Sequence, residues 1–420
     1  HKFLTRDRIF DYFTMKLFLA SLLVTSARVV ISSEDICLGS RCTEAEGKKV
    51  CSFNFKVDLE ASELGYYTVE GCKGVMPTLG IEKHVTYMFS QEDETNYYHP
   101  LGFAYYADGA HDDVDELEPG IAPPGSKSRC ETSLTCPAPM YLKGGKYLGE
   151  YSNNELIAPL QGSENFGLDD YEPEFFLDTL TWNTAGKYEI ALNFDIEDFT
   201  QDIFYFCHIH QFMTGRIKFI DENGTPLQKS DIPEIPYEYD TLSEYDQSCG
   251  TYGLDKFQLP HNECPSMFVC GKPGGAVGAF AGCLDSMNCA MTVGMTTNVN
   301  MGSAIALFNH QMIPHHQNAV NMCKSLMKSG ELVCKDITNE EDPHCQMTRM
   351  CYEIINGQNF QIQLMRGVNE ALGYDKTDDC YVPIGTELPC KSNESSKKGK
   401  SGKKSKSSTS ANSPRHHSWS

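Results

Sequence analysis

The chain has 420 residues, 40% of them hydrophobic, a mean hydropathy of -0.39 and a formal net charge of -22. This is enough apolar content for the cores of two domains and excludes a polytopic membrane protein. Residues 391–420 carry a net +7, so the rest carries -29, a field that repels nucleic acid and anionic membrane surfaces and favours cations, metals included.

Residues 1–14 read as an upstream extension. From Met15 the chain runs Met-Lys, then apolar Leu17 to Val24, then small Thr25-Ser26-Ala27, so residues 1–33 are expected to end in a signal peptide. The run is too short to span a bilayer, and no other stretch of about 18 apolar residues is found, so no membrane span is expected. An exported protein with 18 cysteines implies disulfides, and the location expected is extracellular or cell wall. Asn223-Gly-Thr225 and Asn393-Glu-Ser395 are candidate glycosylation sequons.

Residues 48–222 read as all-β. Val50 to Leu59, Val85 to Phe89 and Tyr188 to Phe194 alternate, with long acidic loops between them and a staple expected from Cys130 and Cys136. Residues 223–300 form a Cys-rich connector, stapled rather than floppy. Residues 301–374 read as two antiparallel helices. Ala304 to Lys328 stops at Gly330, and about Pro343 to Leu372 stops at Gly373. The second helix shows a stripe of Met347, Met350, Ile354, Gln358, Gln361 and Met365. Two helices make too small a core alone, so a partner helix, the connector or a second copy of the chain should complete it. Residues 391–420 are Ser, Lys and Gly and cannot bury enough surface to fold.

The chemistry concentrates first at Cys207-x2-His210-x2-Met213, between an alternating run that ends at Cys207 and another from Arg216 to Ile220. Thiolate, imidazole and thioether on a short loop between two strands suit copper, and a second imidazole would complete a type 1 site. His99, in Asn96-Tyr-Tyr-His-Pro-Leu-Gly-Phe103, follows a strand and is the best candidate. If Cys207 is free for a metal, 17 cysteines remain and cannot all pair; Cys323 is the candidate for the second free thiol.

The segment Tyr205-Phe-Cys-His-Ile-His-Gln-Phe-Met-Thr-Gly215 resembles the cupredoxin family, with the short ligand loop of amicyanin, over roughly residues 50–222. The resemblance implies a Greek-key β-sandwich and one type 1 copper held by His99, Cys207, His210 and Met213, with Phe206 and Phe212 excluding water. Cys207-His208-Ile209 is also similar to the multicopper oxidases, but Phe212 stands where that family needs its next histidine, and no further His-x-His pairs occur. His208 is then expected to be a loop or surface residue.

A second concentration is Asn309-His-Gln-Met-Ile-Pro-His-His-Gln-Asn-Ala-Val-Asn-Met-Cys323. Met312, His316 and Cys323 share one helix face, and His315 and Met322 an adjacent one. Thioether, imidazole and thiol suit Cu(I), so these five form a candidate second soft-metal site. Met347, Met350 and Met365 read instead as core filler. The segment resembles a ferritin-like family of unknown function marked by Met-Ile-Pro-His-His, over about residues 303–374. That family's second helix usually carries Glu where Gln361 stands. The resemblance implies Cu(I) or Ag(I) binding in a small helical bundle, linked in some members to copper tolerance.

The expected function is thus that of a secreted copper-binding protein, in electron transfer with a redox protein partner or in copper homeostasis. The alternatives are a Cu(I) oxidase and a cell-wall or extracellular-matrix metal-binding protein. The Lys/Ser tail suits polyanions or silica, His416-His417 suits loose metal binding, and the helical region suits a homo-oligomer.

Overall fold

The computed structural model describes residues 36–39, 42–112, 114–125, 136–152, 154, 156, 165–228, 233–296 and 303–374. The expected signal peptide, Cys130, the second sequon, the tail and His416-His417 lie outside the described residues.

Among the described residues, twelve strands form two sheets. They are β1 (Cys37–Leu38), β2 (Thr43–Ala45), β3 (Lys48–Asp58), β4 (Tyr66–Val69), β5 (Leu79–Glu82) and β6 (Thr86–Ser90), then β7 (Leu101–Ala104), β8 (Met140–Lys143), β9 (Lys146–Tyr147), β10 (Tyr188–Asn193), β11 (Ile203–Cys207) and β12 (Thr214–Ile220). One sheet runs β1-β5-β12-β11-β7 and the other β2-β3-β6-β10-β8-β9, with β4 paired to β3. The chain alternates between sheets, so β3 lies parallel to β6, and β5 lies parallel to β12. The alternation of β3 puts Cys51, Phe53, Phe55 and Val57 inside. There Phe55 meets Tyr205 of the other sheet edge-on at 5.3 Å, and Phe89 meets Phe103 at 4.8 Å. These cross-sheet contacts show two sheets packed face to face.

Among the described residues, six α-helices accompany the sheets: α1 (Leu168–Tyr171), α2 (Thr179–Ala185), α3 (Glu244–Cys249), α4 (Gly275–Gly294), α5 (Ala304–Lys328) and α6 (Pro343–Ala371). The expected Ala304 to Lys328 is found, opened by a Ser303 hydroxyl that accepts from the Ala306 N–H. Pro314 lies inside it, and Gly294 lets the end of α4 approach the proline ring, where a Cβ would sit 2.8 Å from Pro314 Cβ. Hydrogen bonds Asn309–Asn369 and His316–Gln361 set α5 and α6 antiparallel, and Asn318 bonded to Met291 sets α4 antiparallel to α5.

The connector therefore supplies the helix that completes the bundle. It is stapled by Cys249–Cys283 and Cys264–Cys289, and Cys270 is also disulfide-bonded. By length and composition α4 is long and apolar enough to cross a membrane, a run the sequence reading did not single out. Both of these disulfides enter α4, and its buried Asp285 pairs with Lys272 and accepts from the Phe268 and Val269 N–H groups.

The helices do not stand apart from the sheets. Val320, Cys323, Cys351, Tyr352 and Ile355 belong to the same continuous core as the strand residues. Lys324, fully buried, donates to the carbonyls of Ser62 and Glu63. The expected α6 stripe is corrected: its buried face is Cys345, Arg349, Cys351, Tyr352, Ile355, Asn356, Asn359, Ile362 and Asn369. Met347 and Met350 are 36% and 42% exposed and are not core filler.

Candidate metal centre

Strand register brings the first imidazole to the thiol. Cys207 ends β11 and pairs with Leu101 at the start of β7, two residues after His99. The His99 carbonyl accepts from Tyr67 Oη at 2.7 Å and Gln91 Nε2 at 2.6 Å, and Gln91 Oε1 accepts from the Leu101 N–H at 2.9 Å. Both Tyr67 and Gln91 are fully buried, so the approach to His99 is held on both sides. Neither was singled out from the sequence.

The loop from Cys207 to Thr214 closes on itself. The Cys207 N–H donates to the Met213 carbonyl at 3.2 Å, and the His210 N–H points at Cys207 Sγ at 3.4 Å. Phe212 takes the left-handed backbone (φ 62). Gly215 is required because a Cβ there would lie 2.0 Å from the Tyr205 ring. His111 Nε2 lies 2.8 Å from the Cys207 carbonyl, which its N–H can reach as donor.

His99, Cys207, His210 and Met213 are all buried without measurable exposure. His99 Nδ1, His210 Nδ1 and Cys207 Sγ form a triangle with edges of 3.2, 3.7 and 3.7 Å, so a point equidistant from all three lies about 2.1 Å from each. Metal–imidazole and metal–thiolate bonds run at roughly 2.0–2.3 Å. The group could hold a metal ion. Burial keeps both imidazoles neutral, with His99 held down at about 3 and His210 well below its usual range, and it pushes the Cys207 thiol up to about 12. Neutral imidazoles are ready donors, whereas the thiol ionises only with a cation to compensate it.

Two expectations about this loop are corrected. His208 lies in the loop, as expected, but not at the surface: its side chain is 6% exposed, lies 3.5 Å from Glu116 Oε2, and fills the space where a Cβ on Gly102 would clash. Phe212 does not exclude water from the site: it is 55% exposed and stands edge-on to Tyr237. The seal comes from α6 instead. Asn356 Oδ1 lies 3.1 Å from His99 Nε2. The Gln363 amide, oriented to suit its neighbours, donates to the Ile209 carbonyl and accepts from the Gln211 N–H, each at 3.2 Å.

The five residues of the second candidate site do not converge. His315 is exposed. His316 has Nδ1 3.0 Å from the Met312 carbonyl and Nε2 2.8 Å from Gln361 Oε1. Met322 packs towards α4, on the cluster of Cys249, Leu254, Cys283 and Met287. Cys323 is free and buried, as expected of an unpaired thiol, but it interacts electrostatically with the thiol of Cys351, which is also free and buried. One further group, His261 with Cys264 and Cys289, has metal-ligand spacing, but its two sulfurs are joined in a disulfide.

The architecture is therefore a two-sheet β region and a helical region sharing one core, with a buried His-Cys-His set beneath α6. No protein-family model, no curated protein and no solved structure matches the chain.

Proposed function

We propose that this is a copper-binding protein whose centre is formed by His99, Cys207 and His210, with Met213 as a weaker fourth ligand, and that it serves electron transfer or copper handling outside the cell. The observation that carries the reading is the buried triangle of two imidazole nitrogens and one sulfur, equidistant from a point at bonding distance. Its donor set is soft, and two imidazoles with one thiolate and a thioether select copper over hard cations. The orphaned ring nitrogen His210 Nε2, buried with no partner, fits a residue whose use is at its other nitrogen. When bound, copper would supply one-electron chemistry between Cu(I) and Cu(II). The chain's own part is to hold two neutral imidazoles and a thiol in place and to keep water away. Five described disulfides suit an oxidising compartment.

The test is addition of Cu(II) to the full chain. An intense blue colour from thiolate-to-copper charge transfer is expected, and Cys207→Ser abolishes it. A colourless parent that takes up no copper at this site would sink the reading.

A copper-dependent oxidoreductase is the second reading. It is favoured by a cavity of about 1410 Å3 lined by Phe212 and Met213 of the ligand loop and by Met287, Met291 and His310 of the helices. Oxygen uptake with Cu(I) as reductant separates it from a carrier.

A further inference from the structure

An imidazole can offer only one nitrogen to a metal, and the partner of the other nitrogen decides which. His99 is fully buried. Its Nδ1 faces Cys207 Sγ and His210 Nδ1, and the polar atom beside its Nε2 is Oδ1 of Asn356, 257 residues away in the chain. A carbonyl oxygen accepts and never donates, so Nε2 carries the proton and Nδ1 presents a bare lone pair. We propose that Asn356 is a positioning residue for the metal centre: from α6 it fixes the tautomer and ring orientation of His99, so that the helical region, and not the sheets alone, sets the geometry and potential of the site. The inference rests on the copper reading above.

The placement of Asn356 supports this. It is fully buried, flanked by Ile355 in the core, and followed on the same helix by Asn359 and Gln363. Asn359 Nδ2 donates to the Glu63 carbonyl, and Gln363 clasps the backbone on both sides of His210. These three amides, at spacings of three and four, lie on one side of α6. His210, by contrast, has no partner at Nε2. The two imidazoles are therefore unequal, His99 held from outside the sheets and His210 held only through its loop.

The experiment uses the full chain, Cu(II) as probe, and the variants Asn356→Leu and Asn356→Asp. Loss of the acceptor in Asn356→Leu is expected to weaken copper roughly ten- to a hundredfold in a chelator competition, the usual cost of losing such a partner. It should also shift the charge-transfer band. Asn356→Asp keeps an acceptor, so it is expected to retain affinity and to lower the reduction potential, because a carboxylate makes the imidazole a stronger donor to Cu(II). A merely structural asparagine would not give a potential that follows the acceptor. Affinity, spectrum and potential unchanged in Asn356→Leu would overturn the proposal.

Should the variants not fold, the metal-free parent still decides. Nitrogen NMR of His99 is expected to show Nε2 protonated and Nδ1 bare, and the opposite tautomer overturns the proposal. Failure of the parent to bind Cu(II) would sink the copper reading alone, because the tautomer is read without metal.

Discussion

The shared core makes a quantitative prediction at Ile355. Its side chain is fully buried and packs in the same cluster as the strand residues. Ile355→Ala removes three carbon groups, a transfer loss of ~2.4 kcal/mol. A cavity term of about 24 cal/mol per Å3 adds ~1–2 kcal/mol where the site cannot collapse. Ile355 lies in a core shared by strands and helices, so the upper part of the 2–5 kcal/mol range usual for such truncations is expected. The assay is urea unfolding followed by two probes. Far-UV circular dichroism reports the helices. Trp182 fluorescence reports the β region, since its ring is stacked on Tyr188 at 5.0 Å and edge-on to Tyr97 at 5.9 Å. If the two regions share a core, both probes shift together, by about 3.5–4.5 kcal/mol. A lowered helical transition beside an unmoved Trp182 transition would refute the shared core, and with it the idea that α6 is a fixed part of the candidate metal centre.

Three further outcomes are expected. Cys323 and Cys351 should close to a disulfide with oxidised glutathione, so the Cys323→Ser, Cys351→Ser double variant labels two thiols fewer than the parent before oxidation and the same number after it; a difference that survives oxidation would refute this. Burial holds Lys324 down at about 8, against 10.5 when unfolded. Between those values the unfolded chain binds the extra proton, so this group's contribution to stability rises with pH across the window, by up to ~1.4 kcal/mol per pH unit. Lys324→Met should flatten the pH dependence of urea unfolding there, and equal slopes in parent and variant would count against the burial. Because the helical donors do not converge, dialysed protein should retain one copper per chain, and Met312→Leu with His316→Ala should leave that content unchanged; loss of a second copper in the double variant would show that those residues do meet.

The strands and the ligand loop were legible because their signals are local. Two-residue alternation marks β3, β10 and β12, and Cys207, His210 and Met213 lie within seven consecutive residues. His99 was reachable because it follows a strand of the first half, whose end can approach a late loop; what brings it there is the pairing of the next strand, β7, with β11. What held His99 was not legible. Tyr67, Gln91 and Asn356 carry no pattern of their own and gain meaning only through contacts made across the fold. Cys323 was legible as a free thiol, but its partner on α6 was not, since cysteine parity counts thiols without pairing them.

The misread face of α6 has a physical cause. A helix that packs on another helix or on a sheet buries side chains that need only be apolar, and hydrophobic periodicity finds them. At its middle, α6 packs instead on a loop, whose backbone offers the Ile209 carbonyl and the Gln211 N–H beside the Nε2 of a buried imidazole. Apolar side chains would leave all three unsatisfied at a cost of roughly 1–3 kcal/mol each. A side-chain amide can donate and accept: Gln363 does both here, and Asn356 presents its oxygen to the imidazole, so amides are the residue types that such a surface calls for. The resulting buried face alternates Tyr352 and Ile355 with amides and scores as polar. The methionines that score as apolar, Met347 and Met350, then fall on the exposed side. In this chain, the departure from hydrophobic periodicity marks the stretch of helix that touches the candidate metal centre.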